Sequence, residues 1–334
     1  MESKFAKFSI LLLNYNGKKI IVPALDSIKR LNYPSEKIET IVVDNNSTDG
    51  SIPIIKKNYP FAKIIKMNEN LAFGAFNHVW KYCSGDFIFF QNNDIEFDKN
   101  CILELNNSLN PSLVAIAPAV YDMQTRKVQY TKKFISRSFY NGSNSSFHQS
   151  KQKNLNNKIE AYTGGIVLKR KFIETLPFVF DPNYFLYVED IDLAYRIRLL
   201  GHEIYRVPKS ILYHKAHETT KTVFNNSEMN YLIERNTIQT YLKNLETKNL
   251  FFYLPIFISL RMGKLLINLL SFKFNIMKST FKAWNWNLKN IGLILKKRKV
   301  IQSNRKVSDK LIFKKMGSEM GVLKYILKNS CKKN

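Results

Sequence analysis

The residues of this 334-residue chain that could do chemistry are acidic side chains set among amides, followed late by a histidine. Glu189-Asp190 precedes a stretch in which apolar Ile191, Leu193, Ala194, Ile197 and Leu200 recur at three- and four-residue steps. Arg196 and Arg198 point elsewhere in that pattern, as an amphipathic helix requires. A carboxylate at a helix N-terminus is kept ionised by the dipole and the free N–H groups, so it can cap the helix or accept a proton from a substrate. Asn92 and Asp94, two apart at a predicted strand end, offer hard oxygens on one side of the chain, which suits a divalent cation shared with a diphosphate. The same triplet alone is also a common polar turn. His217, three residues after His214, could serve as a ligand or a phosphate donor, whereas the spacing around His78 suits a helix-surface or core histidine.

The elements that must hold these groups follow from short apolar runs closed by turn residues. FSILLLNYNG (8–17) and IETIVVDNNSTDGS (38–51) both read as buried strands ending in loops, and residues 18–33 between them read as a helix. Strand, helix, strand in that order gives parallel strands, whose ligands gather at the carboxyl ends. One rim then carries Asn14, Asn16, Asp44, Asn45 and Asp49, where an aspartate can accept from the N3–H of a pyrimidine and amides can meet ribose or phosphate. Further strands are predicted over 62–67 and 87–90, and the glycine fingerprint of dinucleotide binders is absent. The aromatics of FDPNYFLY (180–187) suit core packing, with stacking on a sugar as the alternative.

Three widely spaced cysteines without C-x-x-C imply neither a disulfide framework nor a zinc site, and a reducing compartment fits. The first residues carry no long apolar region or small-residue cleavage site, so no secretory leader is expected. Ser, Asn and Lys over 136–158 suggest a flexible insertion that folds over an acceptor. The charge is uneven. Residues 248–334 hold 20 Lys and Arg against Asp309 and Glu319, which is +18 of the total +26. The longest apolar run there, 250–260, is 11 residues and is stopped by Arg261 and Lys264, shorter than the roughly 20 a bilayer-spanning helix needs. Apolar and aromatic residues among cations, with Trp284 and Trp286, suit a helix lying on an anionic membrane surface. A nucleic-acid partner is not expected, since no binding motif accompanies the charge.

Five segments in order resemble a family 2 glycosyltransferase with the GT-A fold over roughly residues 6–245: LLLNYNG (11–17), VVDNNSTDGS (42–51), NENLAFGAFNH (68–78), FQNNDI (90–95) and FLYVEDIDLAYRIRLLGHEIYRVPKSILYH (185–214). The closest pattern is the bacterial rhamnosyltransferase-like branch, which builds cell-surface polysaccharides at the cytoplasmic side of the membrane. The resemblance implies an α/β fold, a Rossmann-like, mostly parallel sheet flanked by helices, as a catalytic domain over 1–220 with a helical connector over 221–247 packing on it. The charge and apolar runs described above add a C-terminal helical basic extension, an amphipathic, membrane-associating tail over 248–334. Asp44 would recognise the nucleotide base, and Asn92-Asn93-Asp94 stands where the family carries its metal-binding D-x-D. Asn at the first position is a departure. Asp94 becomes the direct ligand and Asn92 a neutral or second-shell donor, with Asn93 in the nucleotide site. His214 matches the family's late metal-ligand histidine, and the catalytic base falls on the Glu189-Asp190 pair, with Asp190 preferred. Thr163, Gly164 and Gly165 match the turn lining the sugar-acceptor pocket, where missing side chains let a sugar approach.

The implied reaction is inverting transfer from a UDP- or dTDP-sugar to a hydroxyl of a saccharide or lipid-linked saccharide, with Mg2+ or Mn2+ as cofactor. The enzyme would be cytoplasmic and peripheral on the inner face of the cell membrane. The rivals are a processive synthase, weakened by the missing Q-x-x-R-W signature, and a basic membrane- or nucleic-acid-binding protein with an inactive sugar-nucleotide domain.

Overall fold

Four apolar stretches rich in Ile, Leu, Val and Phe form parallel strands: β1 (Phe8–Asn14), β2 (Ile38–Asp44), β3 (Ala62–Lys66) and β4 (Phe87–Asn92). The computed structural model describes residues 5–128, 133–137, 139, 141–143, 162, 164–215 and 225–316. Around these strands an eight-stranded sheet runs in the order β3-β2-β1-β4-β9-β6-β10-β5 among the described residues. β9 (Ile166–Lys169) is antiparallel to both β4 and β6 (Ala115–Asp122). β10 (Ile204–His214) is parallel to β6, and short β5 (Ile95–Phe97) is antiparallel at the edge. The direction reverses twice between β4 and β6, so β1, β2, β4, β6 and β10 all end on one rim. Helix α1 (Ile21–Lys29) joins β1 to β2, and α2 (Ser51–Asn58) joins β2 to β3, as right-handed crossovers demand. Short helices α3 (Phe76–Val79), α4 (Cys101–Asn107) and α5 (Arg170–Ile173) complete the coverage. Phe8, Ile10, Leu12, Val42 and Phe89 lie in one buried cluster with Ala24, Leu25 and Ile28 of α1 and Leu105 of α4.

At the opposite, amino rim the sheet is tied by a structural carboxylate. Glu39 accepts from Ser9 Oγ at 2.5 Å and from the Ser84 amide at 2.7 Å, and pairs with Lys63 Nζ at 2.8 Å. Burial works against ionisation, but the Lys63 ammonium and the Ser84 amide outweigh it and draw the carboxyl down to about 2. A folded-state value below the ordinary 4.5 stabilises the protein above that pH, and the contribution is lost as pH falls toward 2. In thermal melts from pH 6 to pH 2, the excess stability of the parent over Glu39→Gln should therefore shrink below roughly pH 4.5. An unchanged difference across that range would remove Glu39 from the acid response.

The chain divides into two compact units. The sheet belongs to one, formed by Met1–Tyr130, Lys151–Phe185 and His202–Val223, and the other is formed by Thr131–Ser150, Leu186–Gly201 and Phe224–Asn334. This division differs from the expected borders after residues 220 and 247. The second unit holds α6 (Glu189–Leu199), α7 (Asn226–Asn244), α8 (Thr247–Leu270), α9 (Phe274–Lys289), α10 (Ile291–Ser303) and α11 (Asp309–Phe313), with the small pair β7 (Lys133–Ile135) and β8 (Asn141–Ser143). Helix α7 begins with a capping box between Asn225 and Glu228 and is packed along its length by the helices after it. Arg261 of α8 meets Glu234 at 2.9 Å, Asn230 donates to Ser279 and Thr280 of α9 at 2.9 Å, and Arg298 of α10 donates to the Leu242 carbonyl at 2.7 Å. The described part of the basic region is thus built into the same unit as α7.

Two expectations are corrected here. Residues 247–270 form one 24-residue helix, and it is long and apolar enough to cross a membrane by length and composition. The apolar run does not stop at Arg261, because that cation turns toward Glu234. Nor is α6 amphipathic: Asp190 to Leu199 are all buried, Arg196 and Arg198 included. Arg196 can be buried because its Nε meets Asp192 Oδ2 at 2.9 Å one turn away.

Candidate active site

Because β1, β2 and β4 stop in register, their last residues form a row: Asn14 pairs with Asp44, and Leu13 with Asn92. The strand order changes direction at β1, with β2 on one side and β4 on the other, which is where open α/β sheets bind ligands. Asn14 is fully buried and acts as the tie between the loops. Its Nδ2 lies 3.3 Å from Asp44 Oδ1 and 3.1 Å from both Ser47 Oγ and Ser51 Oγ, while its Oδ1 accepts from Asn93 Nδ2 at 3.0 Å. Gly17 lies directly over this pair. A Cβ there would stand 2.2 Å from Asn93 Nδ2, so the NYNG turn needs glycine to let the two loops meet.

The remaining rim residues are bound into the same loops. Asn16, in the left-handed region at φ 49°, accepts from the Thr48 amide at 2.8 Å, and its own N–H donates to Ser47 Oγ. Asp49 accepts from the Lys18 amide at 2.7 Å and the Ser51 amide at 3.0 Å. Burial opposes its ionisation, but Ser51 and these amides offset that and hold the carboxyl below its ordinary value. Asn45 reaches across to the Ala72 carbonyl at 3.1 Å. Beside this loop Lys56, Lys57 and Lys66 line a surface pocket with Ser47, Thr48 and Gly50, a basic set that the sequence reading missed.

Further along the rim, β10 ends at His214, in register with Asp122 of β6 and with Ile95 of β5. That brings His214 Nε2 to 3.4 Å from Asp94 Oδ2, a pairing of residues 120 apart in the chain, and the Lys215 amide donates to the Asp94 carbonyl at 3.0 Å. Asp94 is buried, yet its Oδ1 has no hydrogen-bond partner. A buried, unpaired carboxylate oxygen is costly unless a cation meets it. No group of three or more His, Cys, Asp and Glu that could hold a metal occurs among the described residues. A carboxylate and an imidazole nonetheless fit a divalent ion that takes its other ligands from phosphate and water, as Mg2+ commonly does. Asn92, half-buried at the end of β4, is two residues before Asp94 in sequence. Cys83 and Cys101 offer no alternative chemistry, since burial pushes each thiol up to about 12.

Gly164 and Gly165 have φ 74° and 140°, and the room beside them is occupied. A Cβ on Gly165 would stand 2.1 Å from Gln91 Oε1, and one on Gly164 would stand 2.7 Å from Val120 Cγ2. The missing side chains thus admit Gln91 and Val120 against the backbone of this turn. Gln91 is buried, and neither its Oε1 nor its Nε2 has a partner. It was missed because a lone Gln before N-N-D carries no motif. Replacing an unsatisfied buried amide by an apolar group of similar shape is nearly neutral or stabilising. Gln91→Met should therefore keep or raise the melting temperature; a lower melting temperature would mean that the amide serves packing. Thr163 and His217, like residues 144–161, lie outside the described residues. The aromatics split: Phe180 packs against Phe73, Phe76 and Phe90, and Tyr184 is also buried, so these two serve the core.

In the second unit, α6 starts at the acid pair, with Asp190 buried and Glu189 half-buried. The two residues before it, Tyr187 and Val188, both have positive φ, 68° and 71°, which a β-branched residue rarely adopts. What holds them is Asn236 of α7, whose Nδ2 donates to the Leu186 and Tyr187 carbonyls at 2.8 Å. No side chain caps the helix. Asp190 Oδ1 instead accepts from the adjacent Ile191 amide at 2.9 Å. One turn deeper, fully buried Asp192 meets Lys243 Nζ at 3.0 Å and accepts from Asn244 Nδ2 at 2.9 Å as well as from Arg196. Asn236, Lys243 and Asn244 escaped the sequence reading because their partners lie some fifty residues away.

Comparisons with known proteins agree with this architecture. Poly(ribitol-phosphate) beta-N-acetylglucosaminyltransferase TarS of Staphylococcus aureus strain Mu50 is 29% identical over 100 residues, which are 29% of this chain and 18% of that protein. In fold, the chain is similar to the mannosyltransferase PcManGT from Pyrobaculum calidifontis, solved with GDP-Man and Mn2+, at TM-score 0.52 and 14% identity over 90% of this chain and 86% of that one. It is also similar to S. aureus TarS solved with UDP-GlcNAc, at TM-score 0.52 and 17% identity over 73% and 69% of the two chains. A mixed α/β sheet of this kind flanked by helices is the GT-A arrangement. The model of the family described as glycosyl transferase family 2 matches residues 9–176, half of the chain and every element of the rim from β1 to β9, and the protein belongs to that family.

Proposed function

We propose that the protein is an inverting glycosyltransferase that moves a sugar from a UDP- or dTDP-sugar to a hydroxyl of a saccharide or lipid-linked saccharide in cell-surface polysaccharide synthesis. The observation that carries the reading is the buried Asp94 carboxylate with one unpartnered oxygen, facing His214 on the rim that also bears Asp44. TarS, by its name, transfers N-acetylglucosamine to poly(ribitol-phosphate), which favours a hexose or N-acetylhexosamine donor over rhamnose. A lipid-linked acceptor would be met at the cytoplasmic leaflet.

Each residue has a distinct task. Asp44 would accept from the N3–H of uracil or thymine, with Asn14, Asn45 and Asn93 holding its loop and Asn16 and Asp49 shaping the turn that follows. Asp94 and His214, with Asn92 as a neutral oxygen donor, would hold Mg2+ or Mn2+. When bound, such an ion neutralises the charge that develops on the departing diphosphate. The acceptor hydroxyl is a poor nucleophile until a base takes its proton as the new bond forms, and this task goes to Asp190, with Glu189 beside it. In one displacement the bond from C1 to the diphosphate oxygen breaks, the bond from C1 to the acceptor oxygen forms, and the proton passes to the Asp190 carboxylate. The anomeric centre is inverted.

The test is a panel of UDP-, dTDP- and GDP-sugars incubated with the full chain and Mn2+ or Mg2+, reading release of the nucleoside diphosphate. Release from a UDP- or dTDP-sugar is expected. No release from any donor, together with tight binding of DNA or RNA, would favour a basic binding protein with an inactive sugar-nucleotide domain.

A further inference from the structure

Helix α8 (Thr247–Leu270) buries Tyr253, Phe257, Arg261, Leu265 and Asn268, yet it leaves a second apolar face turned outward. A soluble surface helix buries an apolar stripe and shows its charges. Here Arg261 turns inward to Glu234 at 2.9 Å, and Lys264 Nζ donates to Asn230 Oδ1 at 2.8 Å, both on α7. Burial lowers the pKa of Lys264 from its ordinary value. The opposite face is Phe251, Ile258, Met262, Leu266 and Leu269, each between 45% and 65% exposed. Only 22% of the most apolar stretch of α8 is buried. At 1.5 Å per residue this helix is about 36 Å long. An apolar face of that length exceeds the scattered apolar residues of an ordinary surface.

The next helix adds the complementary charge. On α9 the exposed residues Phe274, Phe281 and Leu288 recur every seven positions, and Lys278, Lys282 and Lys289 form an exposed row beside them. At the corner between the helices, Phe272 is 78% exposed and sits at φ 53°, a conformation that a large L residue rarely holds. Aromatic and aliphatic side chains next to lysines match the boundary between the acyl chains and the anionic headgroups of a bilayer. A second copy of the chain is the poorer fit, since two surfaces from a segment of net charge +18 would repel.

We propose that the outward faces of α8 and α9 seat the second unit on an anionic lipid bilayer, with α8 lying in the plane of the interface and not crossing it. Crossing would either break the Arg261–Glu234 and Lys264–Asn230 contacts or draw α7 into hydrocarbon, with its buried Glu234, Asn236 and Lys243. The inference is independent of sugar transfer, so the two can fail separately.

Flotation of the full chain with phosphatidylcholine vesicles, with and without phosphatidylglycerol, tests it. Strong flotation with the anionic vesicles, weaker flotation with the neutral ones and release by an alkaline carbonate wash are expected. Truncation at residue 248 is unsuitable, because it removes the helices packed on α7. Ile258→Ser/Met262→Ser/Leu266→Ser changes only exposed side chains and should weaken binding about tenfold or more. Lys278→Gln/Lys282→Gln/Lys289→Gln should reduce anionic binding to near the neutral level. Circular dichroism and gel filtration report whether each variant is folded, and the single Leu266→Gln, which asks least of the fold, should still show a measurable loss. Undiminished binding by the serine variant overturns the proposal. Retention through the carbonate wash means that α8 crosses, and a dimer in light scattering that the serine changes abolish assigns the face to a second copy; either outcome also overturns it.

Discussion

Asp190→Asn is expected to lower sugar transfer by a factor of about 10² or more while donor affinity changes little, because under the proposed mechanism the acceptor hydroxyl loses the group that takes its proton. The substitution suits the site. Asp190 Oδ1 accepts from the Ile191 amide, and an asparagine oxygen can do the same, so the start of α6 should survive. Glu189→Gln, on the half-buried neighbour, is the control. Normal turnover by Asp190→Asn with loss in Glu189→Gln would exchange the two roles, and normal turnover by both would reject this base altogether. Loss of transfer with unchanged hydrolysis of the donor would point specifically to the handling of the acceptor.

Asp94→Ala and His214→Ala should each weaken Mn2+-dependent binding of UDP by roughly 1.4 kcal/mol or more, a tenfold change, measured by calorimetry with and without the metal. The fold should tolerate the first change, since the alanine removes a buried carboxylate oxygen with no partner. Equal nucleotide binding by the parent protein with and without metal would take the ion out of the account. An effect of His217→Ala in place of His214→Ala would shift the ligand by three residues.

The parallel half of the sheet was legible because fully buried strands read as continuous apolar runs closed by Asn, Asp and Gly, as LLLNYNG and VVDNNSTDGS do. Asn14 and Asp44 could be assigned to one rim from the sequence, because a strand, helix, strand unit makes the two strands parallel; Asn92 was legible only as a strand end, and its place on the same rim comes from the pairing of β4 with β1. The nearness of His214 to Asp94 came from resemblance alone; it depends on β10 pairing with β5, and no local signal encodes that pairing. Arg196 and Arg198 misled for a physical reason. Periodicity assumes that charge seeks water, whereas buried Asp192 takes both Arg196 and Lys243 as ion-pair partners inside the unit. The same assumption cut α8 short at Arg261, whose partner Glu234 lies in the preceding helix.

Helix α6 also depends on the far end of the chain. Tyr195 donates to Asp309 Oδ1 at 2.9 Å across 114 residues, and the Leu199 carbonyl receives the Lys306 amide. A ribosome adding roughly 5–20 residues per second delivers Asp309 on the order of ten seconds after Tyr195. During that interval the acid-bearing helix has neither this partner nor the α11 turn that closes over it, although the sheet strands up to β9 are already complete. Arrested nascent chains ending before residue 300 should therefore be cleaved by protease within 186–201, and chains that expose Asp309 should resist. The acid pair is therefore set in its final place only after the segment that carries Lys306 and Asp309 has emerged from the ribosome.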